Sequence, residues 1–225
     1  MLTQTTAFQS GQRSLGAYFA CPDGSGPFPA ILVIHEADGL NENIRDITRR
    51  FAGLGYAALA VDLFSQRSRV MCMFRLVGGM LTNSLDHGGV RDLRAALDCL
   101  SAQPNVDPAR LGAVGYCMGG SMAIALACRD QRLKAIAPYY GMNPRPMEAV
   151  KRMCPVVGSY PGEDFTASLG QKLELELDST DIAHDIKIYP GAHHSFFNDT
   201  NPDRYYAEAA TDSWQRVVAF FQEHI

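Results

Sequence analysis

The sequence lacks an excess of charge of one sign, an apolar run of membrane length and a leader-like N-terminus. Its formal net charge is only −4 over 225 residues, so composition gives no reason to expect a nucleic acid or an anionic membrane as a partner. No apolar run approaches the roughly 20 residues of a membrane span. The first residues also lack the basic-then-apolar order of a secretory signal. We therefore expect a protein that binds neither nucleic acid nor membrane.

Paired and clustered cysteines are missing as well. The chain has no C-x-x-C motif and no Cys/His cluster at metal-ligand spacing. Reduced thiols in a cytoplasmic protein without a bound metal are the simplest interpretation. The six cysteines are scattered, at Cys21, Cys72, Cys99, Cys117, Cys128 and Cys154.

Repeats, low-complexity segments and long Pro/Gly/Ser linkers are also absent, so nothing marks a domain boundary. A chain of this length with 47% hydrophobic residues can bury one substantial core. We predict a single domain over residues 1–225. Its segments alternate between apolar runs and amphipathic stretches, which indicates an α/β fold with a mostly parallel central sheet flanked by helices on both faces.

The apolar runs and periodic segments give the element order. Residues 63–87 have no clear period, and we interpret them as a short helical excursion over the site. Strands are predicted at 5–9, 14–20, 30–35, 56–62, 111–116, 133–140, 155–160 and 186–189. Helices are predicted at 43–54, 89–102, 168–177 and 204–224.

The segment 111–126 carries a single thiol between a buried strand and a helix. It contains Gly115, Cys117 and Gly119 in the spacing Gly-x-Cys-x-Gly, which is the nucleophile elbow of α/β-hydrolases with cysteine in place of serine. The helix N-terminus behind the sulfur would favour its thiolate form. The alternative is a buried structural cysteine beside a glycine-rich turn.

A base and an acid for this thiol are expected downstream, at other strand ends. His193 and His194 directly follow the last predicted strand, whereas His184 and His224 lie in a polar lead-in and at the chain end. For the acid we choose Asp164, which follows the strand 155–160 and could orient the imidazole. The alternative for Asp164 is a turn or helix-capping role.

The loop after the strand 30–35 adds a third group of candidates. The backbone N–H groups of Ala37 and Met118 could form an oxyanion hole. Glu36 lies at the same edge, and its charge would favour the neutral thiol of Cys117. One explanation is a thiol that stays protonated until substrate displaces Glu36.

Motifs in the same order along nearly the whole chain resemble the dienelactone hydrolase family of α/β-hydrolases. They are HEADGLN, VDLF, GYCMGG, YYG, GEDF and YPGAHHSFFND. The resemblance implies the α/β-hydrolase fold, with Cys117 as nucleophile and Asp164 and His194 completing the triad. It also implies Glu36 as the thiol-gating acid and supports the N–H groups of Ala37 and Met118. In the family pattern near the histidine, His193 occupies a glycine position.

Two positions depart from the family. Where the dienelactone hydrolase has arginines for the substrate carboxylate, this chain has Gln66 and Asn198. Asparagine cannot replace the charge and bidentate geometry of arginine, so we expect a weaker preference for an anionic lactone. Arg67 or Arg69 is close enough in sequence to substitute. Tyr116, beside the nucleophile, is the remaining candidate for a substrate contact.

These features together predict a carboxylic ester hydrolase that cleaves a small ester or lactone through a thioester intermediate. No metal or organic cofactor is required. Two alternatives stay open, namely a broad carboxylesterase or thioesterase without dienelactone activity, and a non-catalytic scaffold that binds a small molecule or senses oxidants through Cys117. The chain could be a monomer or a homodimer.

Overall fold

A computed structural model describes residues 1–65 and 68–225, and within them the chain forms eight strands, six α-helices and a 3-10 turn at Met147–Arg152. The strands are β1 (Leu2–Ser10), β2 (Arg13–Cys21), β3 (Phe28–Ile34), β4 (Ala57–Val61), β5 (Val106–Tyr116), β6 (Leu133–Tyr139), β7 (Val156–Pro161) and β8 (His184–Tyr189). The helices are α1 (Glu42–Gly53), α2 (Arg69–Thr82), α3 (Gly88–Ser101), α4 (Met118–Ala127), α5 (Thr166–Leu177) and α6 (Ala207–His224).

The strands form one sheet in the order β1-β2-β4-β3-β5-β6-β7-β8. β1 and β2 form an antiparallel hairpin, and β2 pairs antiparallel with β4. Every other pairing in the sheet is parallel. The predicted α/β class and mostly parallel sheet are confirmed.

Helices cover both faces of the sheet, and each face has its own apolar core. Leu32 and Ile34 of β3 point into the core shared with α3, α4 and α5. Ile31 and Val33 point into the core shared with α1 and α6. Because side chains alternate along a strand, a strand covered on both faces needs a continuous apolar run, which is the pattern that predicted β3.

Residues 69–82 form the helix expected within the segment without a clear period. Cys72 and Leu76 of α2 are buried, but Val70 and Phe74 on the same helix are largely exposed. Apolar residues on both sides of the helix hide the usual helical period. Among the described residues, no helix is both long and apolar enough to cross a bilayer.

The carboxyl ends of the parallel strands meet at one edge of the sheet. Glu36 follows β3, Cys117 follows β5, Tyr140 follows β6, Asp164 follows β7 and His194 follows β8. Ligand sites in such sheets form at this edge. The fold therefore gathers five polar side chains that are far apart in sequence.

Candidate active site

Cys117 occupies the sharp turn between β5 and α4. Its backbone has φ 55° and ψ −116°, a conformation that costs a non-glycine residue about 1–3 kcal/mol. A Cβ at Gly115 would overlap the carbonyl of Gly119, and a Cβ at Gly119 would overlap the carbonyl of Ile34. This close approach of the backbone requires glycine at both positions.

His194 lies between Cys117 and Asp164. Its Nε2 is 3.0 Å from the sulfur of Cys117, and its Nδ1 is 2.5 Å from Oδ2 of Asp164. With Nδ1–H donating to the carboxylate, Nε2 is left to accept the thiol proton. The thiol, the imidazole and the carboxylate are thus connected by hydrogen bonds, the arrangement that a nucleophile, a base and an orienting acid require.

The structure distinguishes between the two candidate histidines, but it gives Asp164 both of the roles predicted for it. His193 is exposed, and the structure places His194 rather than His193 against the sulfur. Asp164 does both things that were considered for it, because its other oxygen, Oδ1, accepts the backbone N–H of Thr166 at 2.8 Å, at the start of α5.

Two hydroxyl groups hold the carboxylate of Glu36. Tyr140 donates to Oε1 at 2.8 Å, and Ser195 donates to Oε2 at 2.9 Å. Sequence reasoning missed both partners, although Tyr140 ends a predicted strand and Ser195 follows the histidine pair. Their positions at strand ends were the available signal.

The thiol of Cys117 is neutral at rest. Burial and the nearby charge of Glu36 raise its pKa to about 11, and the N–H of Met118 lowers it by less. The N–H at the start of α4 thus acts in the expected direction, towards the thiolate, but burial and Glu36 outweigh it. Burial also raises the pKa of Glu36, against the two hydroxyl donors and His194, which lower it.

The sulfur opens into a cavity of about 260 Å³. The backbones predicted as oxyanion donors, those of Ala37 and Met118, belong to residues that line it. Apart from His194 and three hydroxyl-bearing residues, the remaining lining is apolar. These apolar residues are Met73, Val77, Met80, Met142 and Phe165. Within the described residues no group of three or more His, Cys, Asp or Glu side chains could hold a metal ion.

His35 is buried beside this loop and plays a different part. Its Nδ1 donates to the carbonyl of Glu36 at 2.6 Å, and its Nε2 accepts the N–H of Leu63 at 3.1 Å. Burial lowers its pKa. A neutral His35 therefore fixes the loop that carries Glu36.

Comparison with known proteins identifies the family. The model of the dienelactone hydrolase family matches residues 15–225. The chain belongs to the dienelactone hydrolase family. It is thus a dienelactone hydrolase-like hydrolase, and its motif resemblance and α/β-hydrolase fold are confirmed.

Individual relatives of this family member cover nearly its whole length. A protein of Saccharolobus solfataricus, provisionally named a carboxymethylenebutenolidase, is 32% identical over 96% of both chains. A provisionally named dienelactone hydrolase from Klebsiella pneumoniae superposes with a TM-score of 0.86 at 28% identity, covering 99% of each chain. A dienelactone hydrolase-like promiscuous phosphotriesterase from metagenomic libraries gives a TM-score of 0.88 at 26% identity, covering 99% of this chain and 98% of its own.

Among the remaining substrate-contact candidates of this family member, the two that the structure describes, Tyr116 and Asn198, are not at the cavity. Gln66 and Arg67 lie outside the described residues. Tyr116 is fully buried, with its ring stacked on Tyr139 at 4.7 Å between centroids. Asn198 is buried and its Oδ1 accepts from the side chain of Thr200. Neither Tyr116 nor Asn198 lines the cavity, so the structure gives neither one a substrate contact.

Arg69 has its charge satisfied within the protein. Its Nη2 donates to Oδ1 of Asp38 at 2.6 Å and to the carbonyl of Ala37 at 2.5 Å. A substrate carboxylate would have to compete with both acceptors. The structure thus gives Arg69 a loop-bracing contact rather than an open anion site.

Proposed function

We propose that this chain hydrolyses a carboxylic ester or lactone through a thioester on Cys117. The observation that carries the proposal is the pair of hydrogen bonds through His194, 3.0 Å to the sulfur and 2.5 Å to Asp164, beside an open cavity. A cysteine is a competent nucleophile when an adjacent base takes its proton. His194 is that base, and Asp164 holds its tautomer.

Acylation begins when the substrate carbonyl enters between the N–H groups of Ala37 and Met118. The thiol proton passes to Nε2 of His194 as the sulfur of Cys117 attacks the carbonyl carbon. The two N–H groups stabilise the negative oxygen that forms. As the tetrahedral species collapses, His194 gives its proton to the leaving alkoxide, and a thioester remains.

Deacylation uses the same groups in reverse. His194 removes a proton from water, and the resulting hydroxide attacks the thioester carbonyl. The carbon–sulfur bond breaks, and the proton returns from His194 to the sulfur. The products are the carboxylic acid and the resting thiol.

Glu36 sets the resting state in this scheme. Its charge helps to raise the pKa of Cys117, so the thiol stays protonated in the empty site and is less open to oxidation and alkylation. Tyr140 and Ser195 hold the carboxylate where it exerts this effect. Substrate that displaces Glu36 would remove the effect and release the nucleophile.

The test compares initial rates on a dienelactone and on a small neutral aryl ester, with Cys117→Ala as the blank. A rate on either substrate that disappears in the blank supports the proposal, and an acyl adduct on Cys117 in the intact mass would add the thioester. A dominant aryl-ester rate would favour the broad esterase over the lactonase. Two rates equal to the blank contradict the hydrolase mechanism, and a reversible peroxide-induced disulfide of Cys117 would then favour the sensing scaffold.

A further inference from the structure

A second apolar cavity lies on the outer side of α2. It measures about 430 Å³, and its lining is Ala37, Arg69, Val70, Met73, Phe74 and Val77. Phe74 is 76% exposed and Val70 is 63% exposed. Large apolar side chains grouped at one exposed place mark a binding surface more often than isolated ones do.

This groove adjoins the cavity that holds the sulfur of Cys117. Ala37, Met73 and Val77 line both. A molecule whose carbonyl carbon is at Cys117 could therefore extend past Met73 and Val77 to reach Phe74 without crossing a polar barrier. This adjacency favours the substrate as the occupant of the groove, because the substrate already binds in the neighbouring cavity.

The groove has no open charge for an anionic ligand among its lining residues. The guanidinium of Arg69 is bound by Asp38 and by the carbonyl of Ala37. What Arg69 offers the groove is the aliphatic part of its side chain, as long cationic residues commonly do. The chemistry of the surface fits an uncharged alkyl or aryl group.

We propose that the groove beside α2 is a subsite for an apolar alkyl or aryl group of a neutral ester cleaved at Cys117. This rests on the proposed function and names its substrate class. The acyl and the alcohol side of the ester could each supply such a group. Either one would gain affinity with every methylene that leaves water.

The test uses two series of neutral esters with one end held constant. In the first, p-nitrophenyl esters lengthen the acyl chain from acetate to octanoate. In the second, alkyl acetates lengthen the alcohol from ethyl to octyl. We expect kcat/KM to rise about two- to fourfold per methylene in one of the two series. The series that rises identifies which side of the ester occupies the groove.

Variants on α2 connect the chain-length effect to the groove. Phe74→Ser should reduce the octanoate-to-acetate ratio of kcat/KM, or the corresponding octyl-to-ethyl ratio, by about tenfold. Val70→Ser should give a smaller reduction of the same ratio, and it provides the test if Phe74→Ser fails to fold. Met71→Ser is the matched control, because Met71 is 64% exposed on the same helix but does not line the groove. It should leave the ratio unchanged.

The outcomes separate this inference from the proposed function. Hydrolysis of acetate that depends on Cys117, together with flat series in both directions, overturns the subsite and leaves the hydrolase mechanism in place. A rising series that Phe74→Ser and Val70→Ser do not flatten also overturns it. So does an effect of Phe74→Ser on self-association or vesicle binding alone, which would assign the face to a second copy or a lipid surface.

Discussion

Arg75 of α2 donates through Nη2 to Oδ2 of Asp92 in α3, across 3.0 Å. The other oxygen of Asp92 accepts from Ser10 at 2.6 Å and is paired with Arg13. Asp92 is completely buried. One carboxylate thus joins the β1–β2 hairpin, α3 and the helix that borders both cavities.

Asp92→Asn should destabilise the fold by about 3 kcal/mol, because it leaves two arginines without their anion at a buried position. The measurement is the free energy of unfolding in urea. Asp98→Asn is the control, since Asp98 lies on the same helix, is exposed and pairs with Arg132 at the surface. Its loss should be below about 1 kcal/mol, and equal losses in the two variants would contradict the role given to Asp92.

His194→Ala should lower kcat/KM on an aryl ester about 10²–10⁴-fold, because the thiol loses its proton acceptor. His193→Ala should stay close to the wild-type rate, since His193 is exposed while His194 contacts the sulfur. Steady-state kinetics on the two variants make the comparison. The reverse ranking would show that the base has been assigned to the wrong histidine.

Glu36→Gln should lower the pKa of the Cys117 thiol from about 11, because the negative charge that helps to raise it is removed. Glutamine can keep hydrogen bonds to Tyr140 and Ser195. The readout is the pH dependence of iodoacetamide alkylation at Cys117, followed by peptide mass spectrometry. Alkylation at pH 8 should become faster, and Glu163→Gln, a charge loss at an exposed residue, should leave it unchanged.

The buried imidazole of His87 makes stability depend on pH. Its Nδ1 accepts the N–H of Gly89 at the start of α3. Burial lowers its pKa, as do Arg75 and Arg91, while Asp92 and Asp86 raise it by less. Below about pH 6.5 the imidazole of His87 is therefore protonated in the unfolded chain but not in the folded one. Its contribution to the free energy of unfolding is present in full above that pH and is lost as the pH falls below it.

His87→Asn should reduce this loss, because asparagine caps a helix without titrating. Urea unfolding at pH 7.5 and at pH 5.5 measures the effect. We expect the variant to lose less stability than the wild type between the two values. A loss of the same size would place the acid sensitivity elsewhere, for example at His35, whose pKa burial also lowers.

Much of the site could be predicted because its signals are local. The spacing of Gly115, Cys117 and Gly119 is a local motif that encodes the turn, although the requirement for glycine at position 119 comes from the distant carbonyl of Ile34. Asp164 and His194 stand out because each lies in the loop that follows a predicted strand. The strand order of a parallel sheet then brings their ends together.

The rest depended on contacts between distant segments. The hydrogen bond from Tyr140 to Glu36 joins residues 104 apart, and no spacing rule reports such a pair. The prediction of a substrate contact for Tyr116 was wrong because the side chain of a residue beside the nucleophile can point towards the site or into the core. The ring of Tyr116 packs into the core with Tyr139 and Phe197. The period of α2 was obscured because its exposed side is as apolar as its buried side.

Within the described residues, the non-glycine residues with positive φ are Cys117 at 55°, Tyr140 at 42° and Ser195 at 66°. All three contact Glu36 or His194. Each conformation costs about 1–3 kcal/mol, a large share of the net stability of an ordinary domain. Glycine at any of them would relieve backbone strain but delete a working side chain. Selection for higher thermal stability would therefore have to act on residues elsewhere in the fold, because relieving the strain at these three positions would remove side chains of the active site.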